Sequence, residues 1–230
     1  MNILAVGPHP DDIEFGCAPV LINEVKRGNR VRVLILSRGE AGSHGTPEVR
    51  EKEARTAARL MGAEISFFDF GGDCHLEYRR ENAISIAAEI RREKPSVVLA
   101  PHPAENQHPD HVAVGQMVRD ACRLARSGGL SELLSLPAHK IGSLLFYNIT
   151  SHLGRAPDIV VDVSNVAAEW EAAMRCHETQ IASNQYMDLQ MTAARTLGLA
   201  AGFDLAVGLC ANDPICVTDL SVVALSARAF

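Results

Sequence analysis

Two short stretches of this 230-residue chain carry more reactive groups than their length accounts for. The first, Val6-Gly-Pro-His-Pro-Asp-Asp-Ile-Glu14, sets one imidazole and three carboxylates directly after an apolar run at residues 3–6. The second, Pro101-His-Pro-Ala-Glu-Asn-Gln-His-Pro-Asp-His111, follows another apolar run about a hundred residues later. Two imidazoles and one carboxylate, with a fourth position open to water, form the ligand set of a hydrolytic zinc site. His9, Asp12 and His111 are assigned that role. The same donors suit ferrous iron, so the ligand set leaves the choice of metal open. Adjacent side chains on a turn point in different directions. Asp11 can therefore stay off the cation and serve as general base toward the water that the cation activates. His108 is then left for the oxyanion or the leaving amine, and Asp110 for holding that imidazole protonated or in one tautomer.

Such residues must be delivered by particular elements. Apolar, β-branched runs at 3–6, 30–36, 64–70 and 95–100 read as strands, and helical spacing covers 17–27, 47–61, 81–93 and 110–126. Thr46-Pro47-Glu48 supplies an N-cap, a proline at the first helical position and an acid in the first turn. Strands alternating with helices predict an α/β, Rossmann-like three-layer fold with a mostly parallel sheet. In such sheets ligands bind outside the carboxyl ends of the strands where strand order reverses. An order of 3-2-1-4 brings the two polar clusters together at the ends of strands one and four. Further strands are expected at 143–149 and 159–163 and helices at 166–181 and 186–199, while the short apolar ends at 205–210 and 215–217 read either as late strands or as loops packed on the core. Without a repeat or linker, residues 1–230 are expected to form one domain.

Composition narrows the class of function. The net charge is −6, and the basic residues are interspersed with acids, which argues against nucleic acid or an anionic membrane and favours a small-molecule substrate. No apolar stretch reaches the roughly 18 residues of a membrane span and no leader is evident, so a soluble, cytoplasmic protein is expected. The first turn lacks the glycine fingerprint of dinucleotide sites and crowds carboxylates where a pyrophosphate needs bare backbone. The six cysteines form no C-x-x-C pair and read as buried free thiols. Cys74-His75 and Cys176-His177 are read as thiols beside imidazoles, not as a second metal site. Trp170 with Met174, and Met187 with Met191, have the helical spacing of core or subunit interface.

His9-Pro-Asp-Asp-Ile-Glu14, Gly39-Glu-Ala-Gly-Ser43, Val49-Arg-Glu-Lys-Glu-Ala54 and His108-Pro-Asp-His111 together resemble the LmbE-like (PIG-L) family of zinc-dependent N-deacetylases. The likeness extends over nearly the whole chain. It is greatest to the bacillithiol-biosynthesis deacetylases, through Ala57-Ala-Arg-Leu-Met-Gly62, Phe146-Tyr147 and Glu178-Thr-Gln180. The resemblance implies removal of an acetyl group from an N-acetylglucosamine conjugate and a homo-oligomer built as a trimer or hexamer. It implies His9, Asp12 and His111 as metal ligands, Asp11 as base, His108 as electrostatic stabiliser or acid, and Arg50 at the substrate. The chain departs from the bacillithiol pattern with Pro10 for alanine and Gln107 for arginine, which bears on recognition of a malate-type aglycone. Asn106 falls near the place of a tyrosine acid in mycothiol-pathway relatives.

Overall fold

Strand β1 (Asn2–Gly7) is buried over all but its first residue because it has a parallel neighbour on each side, β2 (Arg30–Ile35) and β4 (Val97–Pro101). The computed structural model describes residues 1–104, 108–149, 156–182, 185–223 and 226. In it, β1, β2 and β4 join β3 (Glu64–Phe67), β5 (Ser143–Tyr147), β6 (Ile159–Asp162) and β7 (Ala206–Ala211) in one seven-stranded sheet of order β3-β2-β1-β4-β5-β7-β6. The first five strands in chain order run parallel, and β7 lies antiparallel to both its neighbours. Strand order thus reverses between β1 and β4, as the alternation of elements predicts.

Helices cover both faces, as they must when strands are apolar on both sides. One face packs against α2 (Ala18–Lys26), α3 (Pro47–Met61), α6 (Ala167–Arg175) and α8 (Tyr186–Ala201), through Leu21, Met61, Trp170 and Ala194. The other packs against α4 (Arg80–Glu93) and α5 (Pro109–Ala125), through Ile86, Ile90, Val114 and Val118. Each fully buried leucine, isoleucine, valine or methionine among these contributes about 1.5–3 kcal/mol. Among the described residues no helix is long and apolar enough to cross a membrane.

Three features differ from the sequence expectations. A five-residue helix, α1 (Asp12–Gly16), precedes α2 and places Asp11 at its N-cap. The helix expected over 166–181 is broken, with α6 stopping at Arg175 and α7 (Glu178–Ile181) starting afresh, so that His177 faces inward. The apolar end at 215–217 is exposed and forms no strand.

Gly16 shows how closely the first elements are fitted. A Cβ there would lie 2.3 Å from Cδ2 of Tyr147. That ring is fully buried, and its hydroxyl donates to the Val6 carbonyl at 2.8 Å. Gly16→Ala is therefore expected to lower stability in urea unfolding by about 1–3 kcal/mol, because neither ring nor helix can yield freely.

Candidate active site

At the end of β1 the chain turns through Pro8-His-Pro10 into α1. Asp11 takes φ 117°, a left-handed conformation that is strained in a residue with a Cβ. Arg50 on α3 holds this turn: its Nη2 donates to the Pro10 carbonyl at 3.0 Å and lies 3.4 Å from Asp11 Oδ2, while Nη1 donates to the Gly39 carbonyl at 3.0 Å. Gly39 is glycine for a steric reason as well as for its φ of 73°. A Cβ there would meet the guanidinium at 2.1 Å. Arg50 is 4% exposed, so it is not a solvated helix charge.

The two polar clusters converge where strand order reverses. Each oxygen of Asp12 faces an imidazole, Oδ2 at 3.1 Å from His9 Nδ1 and Oδ1 at 3.1 Å from His111 Nε2. All three residues are buried, and their ligand atoms lie within 4.8 Å of one another. The donor set therefore fits a divalent cation. The opposite nitrogen of His9 points away from this group, with Nε2 at 3.0 Å from Asp110 Oδ2 and 3.1 Å from Asp73 Oδ1. A proton held on Nε2 by these carboxylates leaves the Nδ1 lone pair for a metal.

Asp110 thus serves His9 before His108. Its Oδ2 also accepts from the Cys74 backbone N–H at 2.8 Å, whereas its Oδ1 is 3.9 Å from His108 Nδ1. His108 itself caps α5, and its Nδ1 accepts from the Asp110 backbone N–H at 3.2 Å. That nitrogen carries no proton. Burial and the charge of His9 both hold the His108 pKa below its ordinary value, which favours, of the two sequence alternatives, the ring in one tautomer with its proton on Nε2.

The two neighbouring aspartates are driven apart. For Asp11, burial and then the charge of Asp12 raise the pKa to about 6, against the opposing charge of Arg50. For Asp12, burial works the same way, but His111 and His9 outweigh it and hold the carboxyl well below the usual range. The two carboxyls thus differ in the proton they hold: Asp12 is kept anionic, whereas Asp11 is raised toward the range in which a carboxylate exchanges protons close to neutral pH.

Asp73 is the main site residue that sequence reasoning did not find. It is buried, contacts His9, lies 3.5 Å from Arg50 Nη1 and, despite burial, is lowered to about 2, chiefly by its hydrogen bond to His9. Its loop follows β3, two strands away from β1. Positive φ at Gly71, Gly72 and Cys74 swings it back over the site, and that glycine pair was the available signal. Cys74 and Cys216 are exposed where buried thiols were expected. Neither Cys74-His75 nor Cys176-His177 joins a potential metal-binding group among the described residues. Asn106 and Gln107 lie outside the described residues. A cavity of about 410 Å³ opens over the ligand set, walled also by Ser43, Arg50, Asp73, Cys74, Tyr186 and Gln190.

A switch-point cavity holding two imidazoles and a buried carboxylate defines an α/β protein of the class that works on small molecules at strand ends. The chain belongs to the PIG-L family, GlcNAc-PI de-N-acetylase, whose model matches residues 4–122. It is 30% identical over 214 residues to the diacetylchitobiose deacetylase of Thermococcus kodakarensis, covering 87% of this chain and 78% of that protein. A probable N-acetyl-α-D-glucosaminyl L-malate deacetylase 2 of Bacillus subtilis is 25% identical over 197 residues, 78% of this chain and 83% of its own. The conserved protein TT1542 of Thermus thermophilus superposes with a TM-score of 0.85 at 32% identity, covering 94% of this chain and 96% of that one. GalB, the 4-carboxy-2-hydroxymuconate hydratase of Pseudomonas putida, reaches the same TM-score at 20% identity, over 96% and 99% of the two chains. The fold therefore hosts more than one reaction, and function must be argued from the site.

The ligand set leads to a direct binding test. Metal-stripped protein titrated with zinc is expected to take up one ion per chain, and Asp12→Ala and His111→Ala are expected to lose at least about 100-fold in affinity, as removal of a ligand from a three-ligand site requires.

Proposed function

We propose that this protein is a metal-dependent N-deacetylase that hydrolyses the acetamido group of an N-acetylglucosamine conjugate. The observation that carries the reading is the separation of roles at Asp11 and Asp12: one carboxylate sits between two imidazoles, and its neighbour stands beside them, off the ligand set, with a pKa near neutrality. His9, Asp12 and His111 would hold the cation. Zinc is the first candidate, with ferrous iron suited to the same donors. When bound, such a cation acidifies water and polarises an acyl oxygen.

The chain's own residues divide the remaining work. Asp11 takes the proton from the attacking water and later returns one to the departing amine. The His108 Nε2–H, on the open side of the cavity, donates to the oxygen that gains charge as the carbonyl becomes tetrahedral. Asp73 and the edge of Arg50 offer an acceptor and a donor to sugar hydroxyls on the cavity wall. Burial of the site on α1 and α5 keeps these groups in place before substrate arrives.

A GlcNAc-malate conjugate of the bacillithiol type is the first substrate to try, supported by the motif resemblance and the Bacillus relative. Chitobiose, supported by the Thermococcus relative, free N-acetylglucosamine and a GlcNAc-inositol are the alternatives. We further propose a cytoplasmic homo-oligomer, a trimer or hexamer. Exposed Ile215, Val217 and Leu220 on the C-terminal segment are apolar groups that a second chain would cover.

Acetate release across these substrates, with metal-stripped and reconstituted protein, tests the activity, and absence of acetate from all of them sinks it. Asp11→Ala is expected to keep its metal and lose about 10²- to 10⁴-fold in kcat, the usual contribution of a general base. The pH profile carries a sign. The base must be ionised, so kcat/KM is expected to fall as pH drops through the Asp11 pKa. Arg50 lowers that pKa, so Arg50→Ala should move the acidic limb to higher pH.

A further inference from the structure

Behind the floor of the cavity lies a buried acid and imidazole that the proposed chemistry does not use. Glu14 is 2% exposed and His177 is fully buried, with His177 Nε2 3.3 Å from Glu14 Oε2. Among the described residues neither ring nitrogen of His177 makes an aligned hydrogen bond, and the carboxylate of Glu14 is the charge that meets the ring. Burying such a pair is costly, and apolar residues of similar volume would fill the space at least as stably. Such a pair is best accounted for by what it holds in place.

Glu14 sits on α1, two residues beyond Asp12 and three beyond the strained Asp11. A five-residue helix without a side-chain cap cannot hold its own position. It is gripped from outside at three points. Gly16 packs on the Tyr147 ring, the Trp170 indole N–H donates to the Glu14 carbonyl at 2.8 Å, and His177 meets the Glu14 carboxylate. The third grip belongs to a wider strap. Thr179 donates through its backbone N–H and its hydroxyl to Glu53 at 2.9 and 2.7 Å, on the helix that carries Arg50. Gln180 donates to the His44 carbonyl at 3.3 Å, on the glycine-rich loop, and reaches the cavity wall. The break between α6 and α7 is what turns His177 inward to start this strap.

We propose that His177, acting through Glu14, is a positioning residue that sets the N-terminus of α1 and so places Asp12 between its two imidazoles and Asp11 beside them. The proposal rests on the metal-site reading above. It is tested by zinc competition against a chromophoric chelator, which needs no turnover, on His177→Ala, His177→Gln, Glu14→Gln and the double variant Glu14→Gln/His177→Ala. Ile90→Ala, a core truncation on α4 at the opposite face of the sheet, serves as control, and Tm is measured for each. Loss of support around a metal ligand is expected to weaken zinc binding about 10- to 100-fold in His177→Ala and Glu14→Gln, beyond any change in Ile90→Ala at a comparable fall in Tm. The double variant should bind no more weakly than the worse single one, because both remove one contact. His177→Gln, whose amide can still donate to Glu14, should recover part of the affinity. In acetate release kcat should fall in the same order while KM holds.

Wild-type zinc affinity in His177→Ala, or an equal loss in Ile90→Ala at matched Tm, overturns the proposal. If His177→Ala does not fold, Glu14→Gln carries the same comparison with the volume kept. A wild-type chain that releases no acetate sinks the deacetylase reading but leaves the zinc comparison standing, whereas a wild-type chain that binds no zinc overturns both.

Discussion

The carboxylate of Asp12, held between His9 and His111, is the constraint on which the rest of the structure turns. A buried anion is tolerable only where opposite charge or hydrogen-bond donors meet it, and here each oxygen has its own imidazole at 3.1 Å. The two imidazoles come from segments about a hundred residues apart. They meet because β1 and β4 are parallel neighbours, and that adjacency exists only if the chain winds outward in both directions from β1. The order of the sheet and the chemistry of the site are therefore one requirement.

Around this centre the same few groups serve in two directions. Arg50 clamps the Pro10 carbonyl and the glycine-rich loop, and it also lowers the pKa of Asp11. Asp73 and Asp110 both face the far nitrogen of His9 and favour a proton there, which leaves the near nitrogen to meet Asp12 or a cation. The consequence is a division between identical neighbours. Asp12, paired with imidazoles, is held anionic, whereas Asp11, buried beside a like charge, is pushed up to about 6. Side-chain type does not distinguish them. A strained backbone and a single arginine do.

Much of this was legible in residue order. Alternating apolar runs and helical spacing announced a parallel sheet, because strands buried on both faces read as continuous apolar segments and connecting helices as amphipathic ones. Polar His-Pro-Asp clusters directly after two of those strands marked the strand ends where such sheets bind ligands. The composition of those clusters pointed to two imidazoles and one carboxylate of the Asp11-Asp12 pair as a group, and the fold gathers His9, Asp12 and His111 within 4.8 Å.

What the sequence could not carry were contacts made between elements that are distant along the chain and lack a periodic signature. Asp73 arrives on a loop two strands away, swung back by positive φ at three residues. The preference of Asp110 for His9 over His108 is a matter of 3.0 against 3.9 Å at the head of α5. The antiparallel placement of β7 leaves no trace in a run of apolar residues, because alternation fixes which face a side chain takes and not which way the strand runs. Residue types and spacing by themselves determined the class of fold and the donors of the site. Tertiary structure alone decided which aspartate stands between the imidazoles and which beside them, because that choice is set by burial and by the charges of His9, His111 and Arg50, brought in from elsewhere in the fold.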